Sequence, residues 1–400
     1  MIEAACALRG ARCFFANCVV LGDFHKKADR FFTGRSLTEQ SGRRYNHNQI
    51  LTGFCRVGSE GWVLKFGTIG SGMIVNRVIE GILDAPGAEL EAVYSRSQEK
   101  GQDLAARFGA KKVYTDLDAM LADPEIDWVY VASPNSLHFP QTMQALEAGK
   151  NVLCEKPFAS TAAQAEAMFA RAEEKGVLLY EALTTPFLKN YELLREQLAR
   201  IGRLRLALAV YSQYSSRYDL LRQGTVTNAF DPNFSGGGLM DINYYNVALM
   251  VSLFGEPKEA VYWENRASSG VDSSGAALLR YDDFICQCAG GKDVNGDNGV
   301  QFQGEDGSVY ILGACNALPQ IRSVIREYSP SGAPGGWRTE EFPPSPFPNQ
   351  WREEMRALSA IVAAGDRADC LRRKETTLGT MRTIDRLRLS AGIVFADDSK

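Results

Sequence analysis

Three places along the chain hold side chains or glycines whose types and spacing could do chemistry. The first is a glycine-rich turn, Gly67-Thr68-Ile69-Gly70-Ser71-Gly72-Met73-Ile74. Gly70 permits a tight turn. Gly72 lets the backbone approach a pyrophosphate, whose charge the N-terminus of a following helix stabilises. The third small residue usual in such a turn is replaced by Val75, so the fingerprint is partial. The second place is Lys156, set between Glu155 and Pro157; a cis bond before Pro157 is expected, as in tight turns. The third is the pair Asp241 and Tyr245. Their spacing of four puts both on one face of a helix. Gly236-Gly237-Gly238 precedes them and is expected to let that helix N-terminus approach a ligand. A free tyrosine, with a pKa of about 10, is a poor base at neutral pH. A neighbouring ammonium such as Lys156 is expected to lower that value. No metal site is expected: His25, His47 and His138 are scattered, and Cys286 and Cys288 have no second pair beside them.

These residues need elements to position them. A short apolar run over 63–69 reads as a buried strand. After Gly72, Ile74, Val75, Val78, Ile79 and Ile82 recur at helical spacing. A second strand over 90–94 ends at Ser95-Arg96-Ser97. An acid at this strand end would bind a ribose 2′-hydroxyl. Arg96 would instead pair with a 2′-phosphate, so NADP is expected in preference to NAD. Helices over 98–108, 117–121, 137–148 and 162–174 then alternate with strands over 113–114, 128–132, 151–154 and 177–181. Such alternation predicts a doubly wound parallel sheet. Ligands sit beyond the carboxyl ends of its strands. Those ends hold the glycine turn, Ser95 to Ser97, Ser133-Pro134-Asn135 and Glu155-Lys156-Pro157. A lysine at the last of these stands at the switch point. Beyond residue 185 the strands lengthen and alternate, over 204–215, 260–266, 274–290, 300–304, 308–313, 321–328 and 337–342. Helices over 349–364 and 375–391 follow.

Four hundred residues exceed one comfortable core, which predicts two domains, 62–185 and 186–400. The net charge of −4 argues against nucleic acid as partner, and no stretch approaches the ~20 apolar residues of a membrane span. Residues 1–61 differ: they hold four of the nine cysteines and nine Lys/Arg against five Asp/Glu. They are expected to be a poorly ordered extension, or to lie upstream of a true start near Val63. The scattered cysteines read as reduced thiols of a cytoplasmic protein.

From about 63 to 395 the chain resembles the Gfo/Idh/MocA family, named for glucose–fructose oxidoreductase, inositol dehydrogenase and rhizopine catabolism. The resemblance rests on the glycine turn and on Ala132-Ser133-Pro134-Asn135-Ser136-Leu137-His138 followed by Glu147-Ala148-Gly149-Lys150-Asn151-Val152-Leu153-Cys154-Glu155-Lys156-Pro157. It rests also on Gly236-Gly237-Gly238-Leu239-Met240-Asp241 with Tyr245. It implies a Rossmann domain followed by an α+β domain with a large, mostly antiparallel, open sheet. It implies an NAD(P)-dependent oxidoreductase acting on a sugar, polyol or cyclic diol, with Lys156, Asp241 and Tyr245 as the catalytic group. Many members have histidine at the position of Tyr245. Gly67, Ile69, Gly70, Ser71, Gly72, Met73, Ile74, Ser95, Arg96, Ser97, Ser133, Pro134, Asn135, His138, Glu155 and Lys156 would line the dinucleotide. Tyr214, Arg217 and Tyr218 would meet substrate, with Glu181 near the cleft. A homodimer or tetramer through the C-terminal sheet is implied. The alternative is a non-catalytic regulator that senses dinucleotide on the same fold; retention of all three catalytic-group residues favours the enzyme.

Overall fold

A computed structural model describes residues 63–399 of the protein. The expectation for residues 1–61 lies outside the described residues. The first half runs β1 (Leu64–Ile69), α1 (Met73–Asp84), β2 (Ala88–Tyr94), α2 (Gln98–Phe108), β3 (Lys112–Tyr114), α3 (Leu117–Leu121), β4 (Trp128–Val131), α4 (His138–Glu147), β5 (Asn151–Glu155), α5 (Ala162–Lys175) and β6 (Leu179–Ala182). Local signals set these boundaries. Ser97 caps α2 by accepting from the Lys100 amide, and Gly109 ends it in the left-handed region at φ 74°. Asp116 caps α3 through the amides of Asp118 and Ala119. The strands are buried on both faces, as parallel strands covered by helices must be. They form one parallel sheet in the order β3-β2-β1-β4-β5-β6. The order reverses between β1 and β4, so a crevice opens beyond their carboxyl ends.

The second half contributes α6 (Lys189–Leu198), β7 (Leu204–Ser212), α7 (Ser216–Arg222), α8 (Tyr244–Phe254), β8 (Glu259–Arg266), β9 (Asp272–Arg280), β10 (Ile285–Gly291), β11 (Gly299–Gly304), β12 (Gly307–Leu312), β13 (Ile321–Tyr328), β14 (Pro334–Glu341), α9 (Gln350–Ala363) and α10 (Arg367–Ser390). Its eight-stranded sheet runs β14-β13-β12-β11-β7-β10-β9-β8. Only β7 and β10 pair in parallel. Side chains alternate across this sheet. Ala207, Ala209, Leu279, Cys286, Cys288, Phe302 and Val309 face the core, while Leu206, Leu208, Val210, Trp263 and Leu278 are exposed on the other side.

Three element predictions need correction. The strand expected over 274–290 is a hairpin of β9 and β10, turned at Asp282 and Asp283. The strand expected over 204–215 stops at Ser212, because Ser215 accepts from the Arg217 amide and starts α7. The last helix begins earlier than expected, at Arg367, where Asp366 caps it. In addition, α9 returns to the first sheet. Arg352 and Arg356 reach Asp84 at 3.3 and 2.7 Å, and Met355, Leu358 and Val362 share a core with Phe66, Val75 and Trp128. Residues beyond 186 therefore do not pack on their own sheet alone. Cys154, Cys286, Cys288 and Cys315 are buried free thiols. Among the described residues no helix is long and apolar enough to cross a membrane.

Candidate active site

The carboxyl ends of β1, β2, β4 and β5 carry the expected dinucleotide residues. Gly70 has φ +118°, and a Cβ there would lie 2.6 Å from the Ala132 carbonyl oxygen at the end of β4. Any side chain would push β1 and β4 apart. A Cβ at Gly72 would meet nothing within 4 Å. Gly72 is the N-cap of α1 and makes no side-chain cap bond, which leaves the first amides of the helix to another acceptor. Ser71, Gly72 and Met73 are exposed there, with Ile74 half-buried behind them. Val75 is buried and would be 3.3 Å from a Gly70 Cβ. The departure from the fingerprint thus fills the core under the turn and leaves its outer surface open. Gly67 and Ile69 are buried strand residues beneath it. Among the described residues, the buried hydroxyls of Thr68 in β1 and Ser133 just after β4 find no partner. An open cradle, unclaimed amides and orphaned hydroxyls together fit a dinucleotide. At the end of β2, Ser95 accepts from the Ser97 amide at 3.3 Å and Arg96 is exposed.

Two of the expected contacts point elsewhere. His138 is buried, with Nδ1 2.8 Å from the Pro157 carbonyl and Nε2 2.9 Å from that of Ser133. Both ring nitrogens face backbone carbonyls, and burial favours the neutral ring, which donates to one of them, so His138 sits between the ends of β4 and β5. The Glu155 carboxyl is buried and accepts from Tyr130 at 2.6 Å and from the Lys156 amide at 3.2 Å. Burial pushes its pKa up against those bonds. Glu155 thus braces the strand end inside the core. Asn135 donates to the Ser235 carbonyl at 2.9 Å beside half-buried Pro134.

Lys156 follows β5, and its peptide bond to Pro157 is cis. Its ammonium donates to Asp241 Oδ1 at 2.8 Å and to the Asp241 carbonyl at 2.9 Å. It also stands 4.5 Å from the ring centroid of Tyr245. Lys156, 85 residues before Asp241, therefore meets both Asp241 and Tyr245. Asp241 does not sit in an α-helix as expected. It lies in a π-helical turn, Leu239–Asn243, that runs into α8, whose second residue is Tyr245. That turn is stitched to β10: Asn243 donates to the Cys288 carbonyl at 2.9 Å, and Asn246 to that of Ala289 at 3.0 Å. The glycines before it serve packing. A Cβ on Gly236 would lie 2.7 Å from the Asn228 carbonyl oxygen, and one on Gly238 2.8 Å from that of Ser273. Their expected role in admitting a ligand is replaced by close approach of backbone to backbone.

Electrostatics corrects a further expectation. Burial pushes the Tyr245 phenol above its usual value, although the Lys156 ammonium works the other way. The Lys156 charge favours the phenolate, but the cost of desolvating that charged form outweighs it. Glu181, expected near the cleft, is buried; burial raises it to about 7 although Tyr244 and Thr377 donate to it at 2.5 and 2.8 Å.

Lys292, just after β10, was not singled out from the sequence. Its ammonium is nearly fully buried and donates to Asp241 Oδ2, the oxygen that Lys156 leaves. It stands 5.5 Å from the Phe230 ring. Burial, with the nearby Lys156 and Arg217 charges, pulls the amine down to about 7; the Asp241 carboxylate opposes this. The legible signal was Gly290-Gly291 ahead of it. A Cβ on Gly290 would lie 2.9 Å from Asn243 Cβ, so glycine lets β10 close on the Asp241 turn. Tyr218 packs 5.8 Å from Phe230 and 6.0 Å from Tyr214, and Arg217 is exposed. Tyr214 donates to Asp219 at 2.7 Å.

Residues 64–183 match the oxidoreductase family with an NAD-binding Rossmann fold, and residues 191–310 match the GFO/IDH/MocA C-terminal domain. The chain is similar to scyllo-inositol 2-dehydrogenase (NADP(+)) of Bacillus subtilis, 43% identical over 249 residues, which are 62% of this chain and 76% of that relative. It is also similar to D-xylose 1-dehydrogenase (NADP(+)) 2 of Haloferax volcanii, 29% identical over 82% of this chain and 97% of that one. A solved 3-ketoreductase of Actinomadura kijaniata, in complex with NADP and TDP-benzene, shares the fold at TM-score 0.70 and 24% identity, covering 82% of this chain and 98% of its own. The chain belongs to the Gfo/Idh/MocA family of oxidoreductases.

Proposed function

We propose that the protein transfers hydride between NADP and a carbinol or carbonyl carbon of a sugar, polyol or cyclic diol, with Lys156, Asp241 and Tyr245 as its catalytic group. The observation that carries this reading is the Lys156 ammonium held between Asp241 and the Tyr245 ring at the carboxyl end of β5, one strand from the switch point. When bound, the nicotinamide supplies or takes the hydride. The protein's own residues handle the oxygen and its proton. Asp241 holds two of the three Lys156 protons, through its side chain and its carbonyl, and thereby aims the third. That proton orients the reacting oxygen and stabilises negative charge on it. Tyr245 exchanges the hydroxyl proton. Because burial keeps the phenol protonated, it is better suited at neutral pH to donating a proton, which favours carbonyl reduction.

The absence of an acid at Ser95-Arg96-Ser97, with Arg96 exposed, supports NADP over NAD. The names of two relatives carry NADP(+) as well. Their named substrates, scyllo-inositol and D-xylose, support a polyhydroxylated substrate. A panel of polyols and aldoses assayed with NAD and NADP separately tests this reading. Turnover of at least one polyol or aldose, faster with NADP, is expected, and Arg96→Ala should erase the preference. No turnover across the panel with either dinucleotide would count against it.

A further inference from the structure

The Asp241 carboxylate is shared by two ammonium groups, Lys156 on one oxygen and Lys292 on the other. Lys156 alone would neutralise it. A second ammonium with its side chain only 4% exposed is costly to desolvate, and one shared carboxylate does not offset that cost unless further acceptors are met. An ammonium has three protons to donate. Among the described residues, the one hydrogen-bond acceptor of the Lys292 ammonium is Asp241 Oδ2. The fold also goes out of its way to bring Lys292 there. Gly290 and Gly291 let β10 press on the Asp241 turn and on Ser274, where a Cβ would stand at 2.9 and 2.8 Å from neighbouring Cβ atoms. Each amine has its own aromatic wall, Tyr245 for Lys156 and Phe230 for Lys292. The two nitrogens are therefore side by side but not interchangeable. A substrate lying across the carboxylate meets them with two different oxygens.

We propose that Lys292 is a specificity-determining residue that takes the substrate oxygen on the carbon next to the reacting one, while Lys156 takes the reacting oxygen. The assignment rests on the reading of Lys156 given above. It selects vicinal diols and α-hydroxyketones over simple alcohols and ketones. A compound lacking the second oxygen leaves a buried charged donor unmet, and sites of that kind discriminate strongly.

The test compares trans-cyclohexane-1,2-diol with cyclohexanol on the full-length, NADP-loaded protein, by turnover and by equilibrium binding. The wild type should favour the diol by on the order of 10- to 100-fold in kcat/KM, chiefly through KM, with the same preference in binding. Lys292→Met should lose most of that ratio. Lys292→Arg, which keeps a charged donor, should retain the larger part of it. A ratio that survives Lys292→Met, or that falls equally in both variants, overturns the assignment. Equal binding of diol and mono-alcohol by the wild type overturns both the assignment and the vicinal substrate class. Diol-selective binding that depends on Lys292 but leads to no turnover upholds the assignment and contradicts the dehydrogenase reading.

Discussion

Lys156 stands out in the sequence by its place between a strand end and a proline, its catalytic role is what the family resemblance implies, and the structure adds its contacts with Asp241 and Tyr245. The pairing of Asp241 with Tyr245 was legible from spacing, but the charge state of Tyr245 was not. Sequence predicts an ammonium nearby; only the structure places that ammonium over the half-buried ring and shows that desolvation raises the phenol. The consequence is testable through pH. With its pKa above the usual value of about 10, Tyr245 loses its proton only in strongly alkaline solution. Oxidation that relies on it as base should therefore keep rising with pH through about 9, without a plateau near 7 or 8. Tyr245→Phe should lower kcat by roughly 10²- to 10⁴-fold and flatten that rise. A wild-type plateau near neutrality would show that the phenol is not held protonated. Lys292 is harder to read for a related reason: Gly290-Gly291 marks a close approach beside it, but its partner, Asp241, is 51 residues away, and the sequence does not say which residue that approach meets.

At the scale of elements, caps and terminating glycines were the clearest signals, and α2 and α3 match their expected bounds. Elements fixed by tertiary contacts were not. The break between β9 and β10 is a polar pair inside an otherwise continuous strand pattern. The π-helical turn at Leu239–Asn243 depends on Asp272, which accepts from the Leu239 amide at 2.6 Å, and on the glycines that let it pack so closely. The link between β6, α8 and α10 runs through Glu181, which Tyr244 and Thr377 hold. Its carboxyl stands near 7 in the fold against an ordinary 4.5 because burial disfavours the charged form. A carboxyl raised on folding contributes fully below its unfolded pKa, and that contribution is lost as pH rises through the folded value. Stability to urea should thus fall by roughly 3 kcal/mol between about pH 4.5 and 7.5 on account of this group. Glu181→Gln should remove that part of the slope. Asp272, raised by burial to about 6, adds in the same direction and should remain in the variant. An unchanged slope in Glu181→Gln would mean that the carboxyl is not protonated in the folded protein.

Over the whole molecule, two sheets of different construction bring their ends to one place. The first supplies Lys156 and the glycine cradle; the second supplies Lys292 and, through its packed helix, Asp241 and Tyr245. The alternation of period two that made the second sheet legible also leaves the outer face of β7, β10, β9 and β8 largely apolar, while Gln301, Tyr310 and Arg322 continue the same face on β11 to β13. Across that face the register aligns Val210, Ala289, Ala276 and Trp263 in one row, and Leu208, Gln287, Leu278 and Val261 in another. Trp263 is 60% exposed. Such a contiguous apolar surface suits burial against a second copy of the chain. If the homo-oligomer that the family resemblance implies forms through this face, Leu208→Glu with Trp263→Glu should reduce the sedimenting mass to that of a monomer, whereas a wild type already monomeric would exclude this face as an interface. The proposed reaction is direct hydride transfer beside Lys156. Its most direct test uses the best substrate of the panel, deuterated at the reacting carbon, with the wild type and Lys156→Ala. The wild type should deliver deuterium to the dinucleotide with a primary isotope effect. Lys156→Ala should lose turnover by roughly 10³-fold while dinucleotide affinity is unchanged. Undiminished turnover in Lys156→Ala, or deuterium released to solvent in the wild type, would contradict it.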